Sequence, residues 1–487
     1  MDFLLKAWEY FASNILTQPA YFIGFIVLIG YTLLRRPFYE SFAGFIKATV
    51  GYLILQVGAG GLVGNFRPIL VGLKDRFNLD AVVIDPYFGQ NAVTAGLPEV
   101  FGRTFSQVMI LLLIAMIFNI LLVAFRKVTK IRSVFTTGHV QVQQASIAFW
   151  IVLFAFPQLG DTAILFLMGI LLGTYWAVGS NITVEMTQDL TEGGGFCVGH
   201  QQMFGIAIFS KLAEKIKKDD KNKRLEDIEF PGFLSIFNEN VVATSILMLL
   251  FFGIILLILG QEFLVTNGFL AANRSYLFYI MTTSLNFAVY LAILQLGVRM
   301  FVAELTQSFQ GISTKLLPGA VPGIDCAATY GFGSPNAVTI GFLFGALGQF
   351  LAIMVLILFK SPVLIIAGFV PVFFDNATIA VFANNKGGLK AAMIFPFIAG
   401  LVQVFGSAFV VSFIGLAPYG GYLGMFDWAT VWPAIAVLAE YLGFIGIAIA
   451  VIGLLAIPQI QYARNKDTYF LITDDYDAYL DVIAKKA

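Results

Sequence analysis

Between Ser133 and Gly160 the chain carries no Asp, Glu, Lys or Arg, and Cys326 to Phe359 forms a second uncharged run of 34 residues. A helix crosses the hydrocarbon layer of a bilayer in about 20 apolar residues. In that layer no water satisfies an open backbone, so such stretches must be helical or sheltered by other protein. Further uncharged stretches cover 18–34, 48–66, 104–125, 162–184, 241–261, 275–298, 361–374 and 391–426, and 428–458 is broken only by Glu440. Some are too long for one crossing and some too short, which by hydropathy gives roughly 10–12 spans. The chain is 59% hydrophobic and 12% charged, half the charge of a soluble domain, so it reads as a polytopic all-α membrane protein. Its net charge is zero, which gives no bulk attraction to nucleic acid.

The two histidines of the chain sit in related settings, Gly138-His139-Val140-Gln141-Val142-Gln143-Gln144 and Gly199-His200-Gln201-Gln202. Both are uncharged and rich in amides. Polar side chains in a low-dielectric slab are costly unless they meet a partner or a ligand. Two Gly-His-x-Gln clusters therefore point to a buried polar site that recognises a ligand rich in hydroxyls.

Arg35-Arg36 follow the first apolar run, and Lys211, Lys215, Lys217, Lys218, Lys221, Lys223 and Arg224 crowd a middle loop. Positive loops stay cytoplasmic, which puts the loop at 211–232 and the tail at 461–487 inside and the N-terminus outside. The Lys-rich loop reads as a solvated face, or more sharply as a docking surface for a soluble partner. Residues 1–10 lack a signal-peptide layout, so the first span is expected to target itself. Cys197 and Cys326 lie in apolar sequence and form no disulfide or metal pattern. No metal or cofactor motif is expected, and Gly193-Gly194-Gly195 lacks the Gly-Lys-Ser/Thr of a phosphate loop.

An ordered series recurs in the two halves, 15–210 and 240–460. Ile54-Leu55-Gln56-Val57-Gly58 matches Ile293-Leu294-Gln295-Leu296-Gly297, Ile84-Asp85 matches Ile324-Asp325, and Asn91-Ala92-Val93 matches Asn336-Ala337-Val338. Paired halves with broken helices near the midplane are typical of transporters. Residues 79–98 and 318–338 are too rich in Pro, Gly and Asp to span cleanly, and read as re-entrant hairpins lining a cavity. Asp325 is the most informative carboxylate. It suits a hydroxyl-binding group or general base, or else a helix cap or a partner of Arg299. Asp85, before Pro86, suits a turn cap. Arg299 and Glu304 read by default as a structural ion pair.

Thr137-Gly138-His139, Gln143-Gln144, Gly199-His200-Gln201-Gln202, Gly297 to Glu304, Pro318-Gly319-Ala320 and Ile324-Asp325-Cys326-Ala327 together resemble the ascorbate-specific enzyme IIC of the bacterial phosphotransferase system. Phe374 with Asn376-Ala377-Thr378 and Val381 to Asn384 extend the resemblance, which covers about residues 20–460. It implies a dimeric permease of the bacterial inner membrane, of roughly 11 transmembrane helices with two inverted repeats. It also implies L-ascorbate held by Pro86, Tyr87, His139, Gln143, His200, Gln201 and Asp325. The phosphoryl donor it implies is the phosphocysteine of a soluble enzyme IIB, itself fed by an enzyme IIA. Pro86 and Ala59 stand where the family carries hydroxyl residues. From the residues alone, an ion-coupled carrier of a small polar solute and a self-contained intramembrane enzyme stay open beside this reading.

Overall fold

The computed structural model describes residues 19–77, 80–216, 223–227, 232, 236, 239–317 and 319–486. Residues 1–18, which precede the expected self-targeting span, Lys217, Lys218 and Lys221 of the middle loop, and Pro318 lie outside these residues, as do the side chains of Ala59 and Arg299. Five helices are long and apolar enough to cross a membrane: Phe38–Gly58, Asp161–Thr191, Asn336–Leu358, Pro371–Phe413 and Phe426–Arg464. Shorter apolar helices include Ile23–Leu33, Ile110–Ala124, Met203–Ala213 and Met248–Leu259. The chain is thus an all-α, multi-pass membrane protein, with its few strands confined to short buried pieces.

Those strands answer a backbone problem. The Pro- and Gly-rich stretches form no spanning helix. After α1 (Pro19–Leu33) and α2 (Phe38–Phe77), the first stretch makes a strand, β1 (Asp80–Ile84), and an 11-residue helix, α3 (Pro86–Gly96). The second makes β4 (Val321–Ile324) and a 3₁₀ segment, Cys326–Gly331. Backbone groups freed from helices must be paired inside an apolar medium. Here they pair across the chain. β1 runs parallel to β5 (Val363–Ala367), from Asp80 opposite Val363 to Ile84 opposite Ala367, and β6 (Gly421–Tyr422) lies on its other side. β4 runs parallel to β2 (Ser133–Phe135) and to β3 (Cys197–Val198). Each sheet has three strands, in the orders β5-β1-β6 and β2-β4-β3. Val82, Val83 and Ile84 are wholly buried, and each residue of β5 is buried, the two-sided apolar character of a parallel sheet.

The remaining helices pack around these sheets. In order they are α4 (Phe105–Ala124), α5 (Gly138–Ala155), α6 (Asp161–Ile182), α7 (Val184–Thr191), α8 (Met203–Ala213), α9 (Asn240–Leu259), α10 (Tyr276–Leu316), α11 (Pro335–Leu358), α12 (Asn376–Phe413) and α13 (Phe426–Arg464). α11 starts where Ser334 accepts from the Asn336 amide at 3.2 Å and Pro335 fills the first turn, a standard helix start. All of α5 is buried except its last two residues. Trp150 and Trp176 are nearly or fully buried, and Trp428 stacks on Trp432 at 4.5 Å.

The two longest helices cross at glycines. A side chain at Gly297 of α10 would meet the Leu55 amide at 2.4 Å and the Gly51 carbonyl at 2.5 Å. Small residues let backbones approach where packing, not water, drives association. At the same contact Glu304 takes the Lys47 ammonium at 3.2 Å and the Tyr31 hydroxyl at 2.6 Å. The carboxylate is therefore engaged by groups distant in sequence, which the local pattern around Arg299 did not indicate. We expect Gly297→Val to lower stability by about 1–3 kcal/mol through overpacking. Thermal unfolding of the detergent-solubilised protein measures it, and an unchanged transition would refute the close crossing.

Candidate functional site

The sheet β2-β4-β3 assembles the site. Its strands are parallel, so the segments leaving their C-terminal ends emerge side by side. β2 leads through Thr136 and Thr137 to His139 in the first turn of α5. β4 leads directly to Asp325, and β3 leads through Gly199 to His200 and Gln201. Gly199 is required here, because a Cβ would lie 2.7 Å from the Gly323 carbonyl oxygen. Thr137 Oγ1 donates to the Gly199 carbonyl at 2.6 Å and closes the three strand ends together.

His139 Nε2 lies 3.4 Å from Asp325 Oδ2. The other oxygen, Asp325 Oδ1, accepts from the Ala327 amide at 2.9 Å and caps the 3₁₀ segment. Of the alternatives the sequence left open, the cap is seen directly, and the second carboxylate oxygen stays free of it. The two imidazole rings are 6.3 Å apart, centre to centre. His200 Nδ1 is 2.7 Å from Gln202 Oε1. Gln202 Nε2 donates to the Phe374 carbonyl at 3.4 Å. With Gln202 Nε2 on that carbonyl, Gln202 Oε1 is the acceptor for the Nδ1–H tautomer of His200, which leaves Nε2 as the lone-pair nitrogen.

The amides complete the cluster. Gln143 lies one turn after His139, on the same helix face. Gln201 Nε2 donates to Gln143 Oε1 at 2.9 Å, and the Tyr87 hydroxyl is within hydrogen-bonding reach of the Gln143 side chain. His139 Nδ1 and Gln201 Oε1 are buried with no hydrogen-bond partner among the described residues. Unsatisfied buried polar atoms are uncommon, and these two belong to side chains of the cluster. The Asp325 side chain keeps 34% of its surface accessible while His139 keeps 8%, so the cluster has one open edge. Pro86 and Tyr87 begin α3, where Asp85 accepts from the Tyr87 amide at 3.1 Å and the Val370 amide at 3.3 Å. Asp85 is a cap joining the two chain halves, as its place before proline suggested. Of the seven residues expected from the resemblance, His139, His200 and Asp325 lie together, Gln143 and Gln201 are bonded to each other, and Pro86 and Tyr87 open α3.

Several supporting residues had little signal in the sequence. Gln144 donates to the His200 carbonyl at 3.2 Å and accepts from Trp176 Nε1 at 2.6 Å. In each Gln-Gln pair one residue faces the other cluster residues and its neighbour braces the shell. The doubled glutamines were visible, but their division of labour was not. Asp427 separates the apolar runs 391–426 and 428–458. It accepts from the Phe204 amide at 3.1 Å, the Gly205 amide at 3.2 Å and the Tyr175 hydroxyl at 2.9 Å. This fixes the first turn of α8, directly after Gln201-Gln202.

A deep cluster of amides, imidazoles and one carboxylate, carried on broken segments of a multi-pass protein, defines the class as a membrane permease for a small polar solute. The family model described as the PTS system sugar-specific permease component matches residues 14–434. The chain belongs to this family and is an EIIC permease component of the bacterial phosphotransferase system. It is 34% identical over 456 residues to the ascorbate-specific PTS system EIIC component of Mycoplasma pneumoniae, a match that covers 84% of this chain and 67% of that relative. It groups with that ascorbate-specific branch of the family.

Gln143→Ala and Gln201→Ala should each weaken substrate binding by about 10–150-fold, the loss of one hydrogen bond worth ~1.5–3 kcal/mol to a charged ligand. Calorimetry on solubilised protein reads this. Unchanged affinity in both variants would remove the amides from the site.

Proposed function

We propose that this permease carries L-ascorbate across the inner membrane and delivers it as L-ascorbate 6-phosphate, using the phosphocysteine of a soluble enzyme IIB charged by an enzyme IIA. The observation that carries the reading is a single cluster in which His139 and His200 meet one carboxylate, Asp325, while Gln143 of the His139 helix is bonded to Gln201, the neighbour of His200. Among the described side chains no Lys or Arg is paired with that carboxylate. Ascorbate is a small planar monoanion with several hydroxyls. Amides supply donors and acceptors together, and neutral imidazole supplies either. Such a set holds an anion by directed hydrogen bonds and lets it leave. The ascorbate specificity of the Mycoplasma pneumoniae relative supports the same substrate.

In the transfer step the accepting hydroxyl of ascorbate attacks phosphorus, the S–P bond of enzyme IIB breaks, and the cysteine leaves as thiolate. Asp325 Oδ2 is the group we assign to receive the hydroxyl proton. The chain's two cysteines are buried in the apolar core, which suits packing and leaves the phosphocysteine role to the partner.

The architecture proposed with this function is a homodimer of roughly 11-span chains, each built from two inverted repeats. Four features support the repeats. Asp85 and Asp325 each cap the segment that follows a strand, by accepting from the amide two residues on. β1 and β4, the matching strands, each form the centre of a three-stranded parallel sheet. Each central strand pairs with a strand from the other half, β1 with β5 and β4 with β2. Gln56 and Gln295 lie on α2 and α10, the helices that cross at Gly51 and Gly297.

Asp325→Asn separates capping from proton transfer. The amide oxygen still accepts from Ala327, so substrate binding should stay within a few-fold. Phosphorylated product in vesicles supplied with the partner proteins should fall by ~10²-fold or more, the range for a positioned general base. Near-normal product formation by this variant would end the general-base assignment. Unmodified ascorbate accumulating under an ion gradient in wild-type vesicles would replace group translocation with ion-coupled transport.

A further inference from the structure

His139, His200 and Asp325 are separated by 61 and 125 positions in sequence, yet their ligating atoms all lie within 4.8 Å of one another. Three points no farther apart than this share a centre within 4.8/√3, about 2.8 Å, of each. Zinc bonds to imidazole nitrogen and carboxylate oxygen are ~2.0–2.2 Å, so side-chain shifts below an ångström bring all three into coordination. Two imidazoles and one carboxylate are an established donor set for Zn²⁺, with the fourth position left to water or a ligand.

Two further observations point to a ligand here. The first is the orientation of His200. Its Nδ1–H is held by Gln202 Oε1 at 2.7 Å, so Nε2 is the free lone pair. A metal-bound histidine is characteristically braced in this way. The second is His139, buried with Nδ1 unpartnered among the described residues. Nε2, 3.4 Å from Asp325 Oδ2, is the nitrogen turned to the cluster, and ligation there leaves the ring proton on Nδ1. Asp325 Oδ1 stays on the Ala327 amide, which leaves Oδ2 for the metal.

We propose that these three side chains form a binding site for a divalent transition-metal ion of the Zn²⁺ type, placed within the permease site. The metal site stands on its own geometry. A second clause rests on the ascorbate reading above: metal and ascorbate use the same side chains, so each excludes the other and Zn²⁺ blocks transport.

The test uses full-length solubilised protein without a polyhistidine tag, since the chain's own two histidines are both in the site. Titration with Zn²⁺, which has no redox chemistry toward ascorbate, should give one site per chain. His139→Ala and His200→Ala should each weaken it by roughly tenfold or more, and Gln202→Ala, which removes only the brace, by roughly 10–100-fold. Gln143→Ala supplies no ligand and should retain the metal. Co²⁺ bound to wild-type protein should show the visible absorption of a four-coordinate nitrogen and oxygen site, a readout independent of any variant's folding. Absence of Zn²⁺ binding, Zn²⁺ binding unaffected by loss of either histidine, or a six-coordinate Co²⁺ spectrum would each overturn the site. Protein that binds Zn²⁺ through the histidines but has no affinity for ascorbate would support the metal site and overturn the substrate reading instead.

Discussion

The structure depends on satisfying backbone in an apolar medium. A transporter needs broken segments to line its path, and a broken segment inside a bilayer leaves amides and carbonyls without partners. In this chain the partners come from strands distant in sequence. β1 lies on β5, and β4 lies between β2 and β3. The pairing that solves the backbone problem also builds the site. Three parallel strands ending together place His139, Asp325 and His200 in one place. The same geometric reason puts ligands at the carboxyl ends of strands in soluble parallel sheets.

The buried carboxylates extend this logic. Each is placed where backbone amides or hydroxyls can surround it. Asp85 takes the Tyr87 and Val370 amides, Asp427 takes Phe204, Gly205 and the Tyr175 hydroxyl, and Asp375 takes the Phe426 amide and Gln403. These three join segments of different origin and hold the short helices still. Asp325 differs in degree: one oxygen is spent on a cap and the other turned to the cluster. A carboxylate with one oxygen structurally fixed has its second oxygen aimed, which is the preorganisation that binding and proton transfer both require.

The C-terminal segment braces this assembly from outside the apolar runs. Arg132, fully buried, donates to the Tyr469 carbonyl at 2.7 Å and lies 3.6 Å over the Tyr469 ring, immediately before β2. Arg126 bridges the Gly319 carbonyl and Asp474. Residues after α13 are thereby tied to the approaches of both β2 and β4, the two strands on which His139 and Asp325 depend.

Uncharged runs, placed against the thickness of a bilayer, determined by themselves that this is a multi-pass helical protein. Two Gly-His-x-Gln clusters and an aspartate in a Pro/Gly-broken stretch were enough to nominate the polar site. Those signals are local: hydropathy, helix-breaking residues and the cost of polar groups in hydrocarbon are all written residue by residue. Sequence could not show that Glu304 meets Lys47 and Tyr31, that Gln144 braces His200 while Gln143 meets Gln201, or that Asp427 holds the start of α8. Nor could it show the strands, since three-residue and two-residue pieces such as Ser133–Phe135 and Cys197–Val198 carry no periodicity. These features exist only when segments tens to hundreds of residues apart share hydrogen bonds. Tertiary structure decided them because an unpaired backbone or side-chain group in an apolar interior takes whichever partner the fold brings within 3 Å or so.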